Sequence, residues 1–136
     1  MATSYSKSKG RKAGKPFLSI PHDVADSEEF ISLSGSGLKL LLALVRQYRG
    51  KNNGDLSLAF TLMKDRGFKS KDTLQKAKQE LLDKGFIVRT REGRFLNPGG
   101  VCDLFALTWL PIHHCNGKLD VPATDRPSKC FIPSRR

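Results

Sequence analysis

Three stretches of this chain repeat their apolar residues at helical spacing, and two alternate or run together as strands do. From Ser34 to Arg49, Leu38, Leu41, Leu42 and Val45 fall at i, i+3, i+4 and i+7, with Leu40, Leu44 and Tyr48 widening the stripe. Lys39 and Arg46, seven apart, mark the wet face; Ser34 or Ser36 can cap the start, and Gly50 ends the run. So broad a stripe predicts a core helix. A second helix is predicted from a cap at Ser57 to about Arg66, with Leu58, Ala59, Leu62 and Met63 inward and Gly67 stopping it. A third, capped by Ser70, runs from Lys71 to Lys84, with Leu74, Ala77, Leu81 and Leu82 on one face and Gly85 at its close.

The period changes after Gly85. Residues 86–91 (Phe-Ile-Val-Arg-Thr-Arg) are β-prone, as is the run from Val101 to Leu110 with Phe105, Leu107 and Trp109. Between them, Gly93, Pro98, Gly99 and Gly100 predict a hairpin with a long tip. Asn52-Asn53-Gly54 is a turn, and Asp55-Leu56 after it leaves room only for a short strand. Two short helices across the tight Gly67-Phe68-Lys69 connection have the organisation of a helix-turn-helix. The predicted fold is α+β: a three-helix core with a β-hairpin, spanning Ser34 to Leu110.

The flanks differ in charge. Met1 to Lys15 carries Lys7, Lys9, Arg11, Lys12 and Lys15 and no acid, a basic arm with too little apolar surface to offset its ordering entropy. Residues 16–33 carry Asp23, Asp26, Glu28 and Glu29 without a Lys or Arg; an extended apolar run stops at Pro21 and a turn of helix is expected near Ser27. Such an acidic patch should face away from nucleic acid or meet the basic surface of a partner subunit. Residues 16–110 are thus taken as the domain with its N-terminal extension. Residues 111–136 form an irregular tail that can pack through Leu119, Val121, Phe131 and Ile132. No internal repeat is present.

Composition narrows the class. With 136 residues, 38% of them hydrophobic, the chain can fill one small core. Twenty-four Lys plus Arg against thirteen Asp plus Glu leave a net charge of +11, which favours a polyanionic partner: nucleic acid before an acidic membrane surface. No apolar run approaches the roughly 18 residues of a membrane span, and nothing before Pro16 reads as a secretory signal. Three widely spaced cysteines, Cys102, Cys115 and Cys130, form no disulfide framework and are expected as reduced thiols in a cytoplasm. His113, His114, Cys115 and Cys130 lack the paired spacing of a zinc site, so no metal or other cofactor is expected. No phosphate-binding Gly-Lys loop, dinucleotide fingerprint or paired carboxylates suggest catalysis.

Residues 70–87, from Ser70 through Thr73-Leu74, Ala77 and Leu81 to Lys84-Gly85-Phe86-Ile87, resemble the recognition helix and following strand of bacterial winged helix-turn-helix regulators. More narrowly, Phe30 to Pro111, about sixty per cent of the chain, resembles winged-helix proteins of prophages, plasmids and other mobile elements. The motifs that carry this are Asn52-Asn53-Gly54, Gly85-Phe86-Ile87 with its basic Thr-containing strand, and Leu107-Thr108-Trp109. The resemblance implies a transcriptional regulator that binds double-stranded DNA, with replication initiation as an alternative and a non-catalytic protein-interaction adaptor as another. RNA fits less well, since its deep, narrow major groove excludes such a helix.

The residue chemistry agrees with DNA. Ser70 at a helix start, between Lys69 and Lys71, suits a phosphate anchor. Asp72, Gln75, Lys76 and Gln79 on the outer face of the third helix can reach base edges in a major groove, where Gln pairs with adenine, Lys with guanine and Asp with cytosine. Arg89, Arg91, Arg94 and Asn97 of the hairpin would add a flanking phosphate or minor-groove contact. From Lys39 to Arg94 there are fourteen Lys or Arg against six acids. A homodimer is plausible in such a reading, because one small module buries little DNA surface.

Overall fold

The computed structural model describes residues 14–94 and 100–135. Its elements are α1 (His22–Ala25), α2 (Glu28–Ile31), α3 (Gly35–Gln47), α4 (Phe60–Met63), α5 (Lys71–Asp83), β1 (Ile87–Arg91) and β2 (Leu104–Leu107). The fold is α+β, with an antiparallel β1-β2 hairpin. No helix among the described residues is long and apolar enough to cross a membrane.

Local chemistry sets the two long helices where the spacing predicts them. The Ser34 hydroxyl accepts from Gly37 N at 3.0 Å and the Ser70 hydroxyl from Thr73 N at 3.1 Å, each filling an orphan donor of a first turn. Gly85, at φ +81°, ends α5: its N–H donates to Leu82 O at 3.1 Å and that of Phe86 to Leu81 O at 2.9 Å. Leu40, Leu41, Leu44 and Val45 of α3 pack into one core with Leu74, Ala77 and Leu81 of α5.

Two expectations fail at the level of faces. Leu42, placed inward by spacing, is 37% exposed, because the buried arc of α3 centres on Leu40, Leu41 and Leu44 and leaves Leu42 nearly opposite. The second helix is shorter than predicted: α4 starts at Phe60 and tightens into a 3-10 turn, Lys64–Arg66. Ser57 does not cap it but accepts from Ala59 N at 3.2 Å. With this late start and tightened end, Met63 and Phe68 turn into the core while Leu62 is left 47% exposed.

β1 pairs with β2 as Ile87 with Leu107, Val88 with Ala106 and Arg89 with Phe105, then slips so that Arg91 meets Leu104. The extra residue, Thr90, turns inward, and its hydroxyl donates to Gly54 O at 2.6 Å. The short strand expected at Asp55-Leu56 is one bridge: Leu56 N to Phe105 O at 3.2 Å and Phe105 N to Leu56 O at 2.9 Å. Because β2 lies between Leu56 and β1, all four of its residues are buried.

Asn53 gives the predicted turn its physical meaning. Its side chain is fully buried and donates to Leu107 O (3.0 Å), Leu110 O (3.2 Å) and Pro111 O (2.8 Å), while its Oδ1 accepts from Leu107 N at 2.8 Å. One amide thus fastens the loop after α3 to the end of β2. Its backbone N–H adds a bond to His113 Nδ1 at 3.0 Å, and the His113 ring stacks on Tyr48.

The residues after Pro111 are irregular apart from a 3-10 turn at Cys115–Gly117, yet they are fastened to the domain. Phe131 is buried, stacked on Phe86 at 5.2 Å and edge-on to Trp109 at 6.3 Å. Lys129 pairs with Glu29 at 2.9 Å, Ser134 N donates to Asp26 O at 2.7 Å, and Asp120 N donates to Thr90 O at 2.8 Å. Of the four tail residues expected to pack, Leu119 and Val121 are half-buried and Ile132 is 77% exposed. At the other end, α1 was not anticipated, whereas α2 starts where expected, with Ser27 Oγ accepting from Phe30 N at 3.3 Å.

Candidate nucleic-acid interface

α5 is held against α3 by Glu80. Its carboxylate accepts from Ser34 N at 2.9 Å, from the Ser34 hydroxyl at 2.5 Å and from Lys84 Nζ at 3.1 Å. Lys84 also donates to Ser32 O at 2.8 Å, which ties in the segment before α3. A side chain at Gly37 would collide with this carboxylate, so glycine is what permits the approach. Burial alone would raise the Glu80 pKa, but the Ser34 hydrogen bonds and the Lys84 ammonium outweigh it and hold the group below its ordinary 4.5.

A depressed folded-state pKa contributes stability that is present above the unfolded value and is lost as pH falls through the folded one. Replacing Glu80 by Gln should therefore lower the unfolding free energy at pH 7 by about 1.5–2 kcal/mol. The gap between the two proteins should close toward pH 3. Urea unfolding at both pH values tests this, and an equal gap at the two would show that the charge of Glu80 contributes nothing.

With Leu74, Ala77 and Leu81 inward, the opposite face of α5 presents Asp72, Gln75, Lys76 and Gln79, all exposed as expected. Their side chains are not equally available. Lys76 lies 3.6 Å from Asp72, with both ends more than three-quarters exposed, a pair of little energetic weight. Gln79 Nε2 donates to Asp83 Oδ1 at 2.8 Å, whereas Gln75 makes no side-chain hydrogen bond among the described residues. Asp72 and Asp83 put a carboxylate at each end of this outer face.

Positive charge gathers instead on the flank toward the hairpin. Lys71, Gln75 and Lys78, at i, i+4 and i+7 along α5, line a groove whose far wall is Cys102, Asp103 and Phe105. Lys69 and Ser70, both exposed, stand at its upper end; Ser70 also donates to Thr73 Oγ1 at 2.9 Å. Lys78 was not among the residues singled out from sequence, and its place seven residues after Lys71 is the signal that could have found it.

The hairpin arginines divide. Arg89 pairs with Asp103 at 3.3 Å and lies 5.6 Å from the Phe105 ring, so its charge is largely answered within the fold. Arg91 donates through Nε and Nη2 to Cys102 O, at 3.2 and 2.9 Å, and keeps its charge while bracing the hairpin base. Arg94 is exposed where its backbone pairs with Val101, 2.9 Å in both directions. Asn97 and residues 1–13 of the basic arm lie outside the described residues.

Cys102, Cys115 and Cys130 are free thiols, and burial pushes the Cys115 thiol up. Among the described residues, no three His, Cys, Asp or Glu side chains converge to hold a metal ion. Compared with family models, curated proteins and solved structures, the chain matches none.

Proposed function

We propose that this chain is a winged helix-turn-helix protein that binds double-stranded DNA without catalysing a reaction, with α5 in the major groove and the hairpin as a wing on the flanking backbone or minor groove. The observation that carries the reading is the flank of α5, where Lys69, Lys71 and Lys78 stand beside the Arg91 and Arg94 hairpin and Gln75 lies between the two groove lysines. An exposed helix with a polar outer face, rimmed by cations on the side of a projecting hairpin, suits a groove walled by phosphates. The resemblance of residues 30–111 adds the role, a cytoplasmic transcriptional regulator of the mobile-element type.

Base reading falls to Gln75 before Gln79, whose amide must first leave Asp83. After selection of a preferred duplex from a random pool, Gln75→Ala should weaken that duplex by about 1–3 kcal/mol and leave random DNA almost unchanged. Lys71→Gln and Lys78→Gln should weaken both kinds of DNA and make the salt slope about one unit shallower each. Fluorescence anisotropy on variants checked for fold by circular dichroism gives the answer. Equal losses on both duplexes for Gln75→Ala would leave α5 as a charged platform, and no binding to any duplex would end the DNA reading.

A further inference from the structure

The outer face of α3 carries a feature that DNA contact by α5 does not use. A groove of about 970 Å³ runs between α3 and residues 15–18, with Phe17, Leu18 and Leu42 among its apolar walls. Phe17 is 85% exposed, Leu18 43% and Leu42 37%, an unusual concentration of large apolar side chains left in water. Five lining residues are Lys or Arg, including Lys39, Arg46 and Arg49, and none is acidic.

We infer that a second copy of this chain fills the groove with its acidic α1-α2 segment, so that the protein is a dimer. The complement is present in the same chain. Asp23 and Asp26 are exposed and in no ion pair among the described residues, and Ile31, five residues after Asp26, is 46% exposed as an apolar anchor. Leu18 of the groove and Asp23 of α1 are five residues apart, a span of at most about 18 Å. Groove and acidic segment are therefore close enough to belong to one self-complementary patch, in which each copy gives its acids and receives the partner's. An apolar floor suits a folded partner better than a phosphate backbone.

The inference does not depend on DNA binding, although a dimer would present two copies of α5 to two half-sites. Sedimentation velocity of the full chain at about 50 μM should show a dimer, as a complex with micromolar Kd requires. Phe17→Ser, at a position too exposed to matter for folding, should raise the dimer Kd about tenfold or more. The charge-reversed doubles Arg46→Glu/Arg49→Glu and Asp23→Lys/Asp26→Lys take the groove lining from +5 to +1 and the acidic segment from −4 to 0, and should each be monomeric at this concentration, since most of the attraction at both contacts is then lost.

Mixing the two doubles in equal amounts leaves one contact with its wild-type charges and sets the reversed groove positions against the reversed segment positions at the other, and should restore the dimer. A wild-type chain that stays monomeric at this concentration overturns the inference. So does a double variant that remains dimeric, or a mixture of folded variants that fails to associate. A dimer without DNA binding would leave this interface standing while the functional reading falls, and the reverse result would remove the interface alone.

Discussion

Affinity for duplex DNA should fall about 500- to 4,000-fold between 50 and 200 mM monovalent salt, a log–log slope of roughly −4.5 to −6. The figure follows from about five to seven phosphate contacts, each releasing condensed counterions. The structure narrows the suppliers. Lys69, Lys71, Lys78, Arg91 and Arg94 are cations beside the groove without a carboxylate partner among the described residues, whereas Arg89 is answered by Asp103; Lys76, only loosely paired with Asp72, adds a sixth if it turns to a phosphate. Five contacts correspond to the shallow end of the range. The opposing charges of Asp72 and Asp83 on the outer face act in the same direction, so Asp83→Asn should raise affinity at low salt. Anisotropy titrations across the salt range measure the slope, and a flat response would remove nucleic acid from the account.

Asn53→Ala should lower the unfolding free energy by about 3–4 kcal/mol, a large share of what a domain of this size possesses. The cost does not come from lost volume. Removing the amide strands Leu107 N together with the carbonyls of Leu107, Leu110 and Pro111, at least one of them deep in the core. Asn53→Asp should be no milder, because a carboxylate would face the same three carbonyls with nothing to donate. Urea denaturation with an unchanged m-value is the measurement. A loss under about 1 kcal/mol would mean that water or a shifted loop satisfies these groups in its place.

Asn53 also marks a boundary of what could be read from residues in order. An Asn-Asn-Gly triplet announces a turn, since Gly54 can adopt its φ of +120°, but no local rule says that the second Asn will be swallowed whole. Its four partners lie 54 to 58 residues away, and only the packed hairpin brings them to it. Phe131 is the same case: in sequence it belongs to a proline-rich tail, and its burial exists only because Phe86 and Trp109 leave a slot between them. The candidate site shows a milder version. Polar residues on the outside of α5 were evident from period alone, but which of them are engaged depended on Asp83 and on the hairpin wall.

What the amino-acid order determined by itself is whatever depends on neighbours within about one helical turn. The Ser34 and Ser70 caps, the left-handed close at Gly85, the buried faces of α5 and the period switch into β1 all follow from contacts three to five residues long. Tertiary structure decided the rest, because a half-apolar surface has no inside until another surface covers it. It turned Leu42 and Leu62 outward, drew Thr90 inward through a bulge, and made Glu80 the link between two helices. It also set Lys78 beside the hairpin and left Phe17 and Leu42 uncovered among the described residues on the outer face of α3.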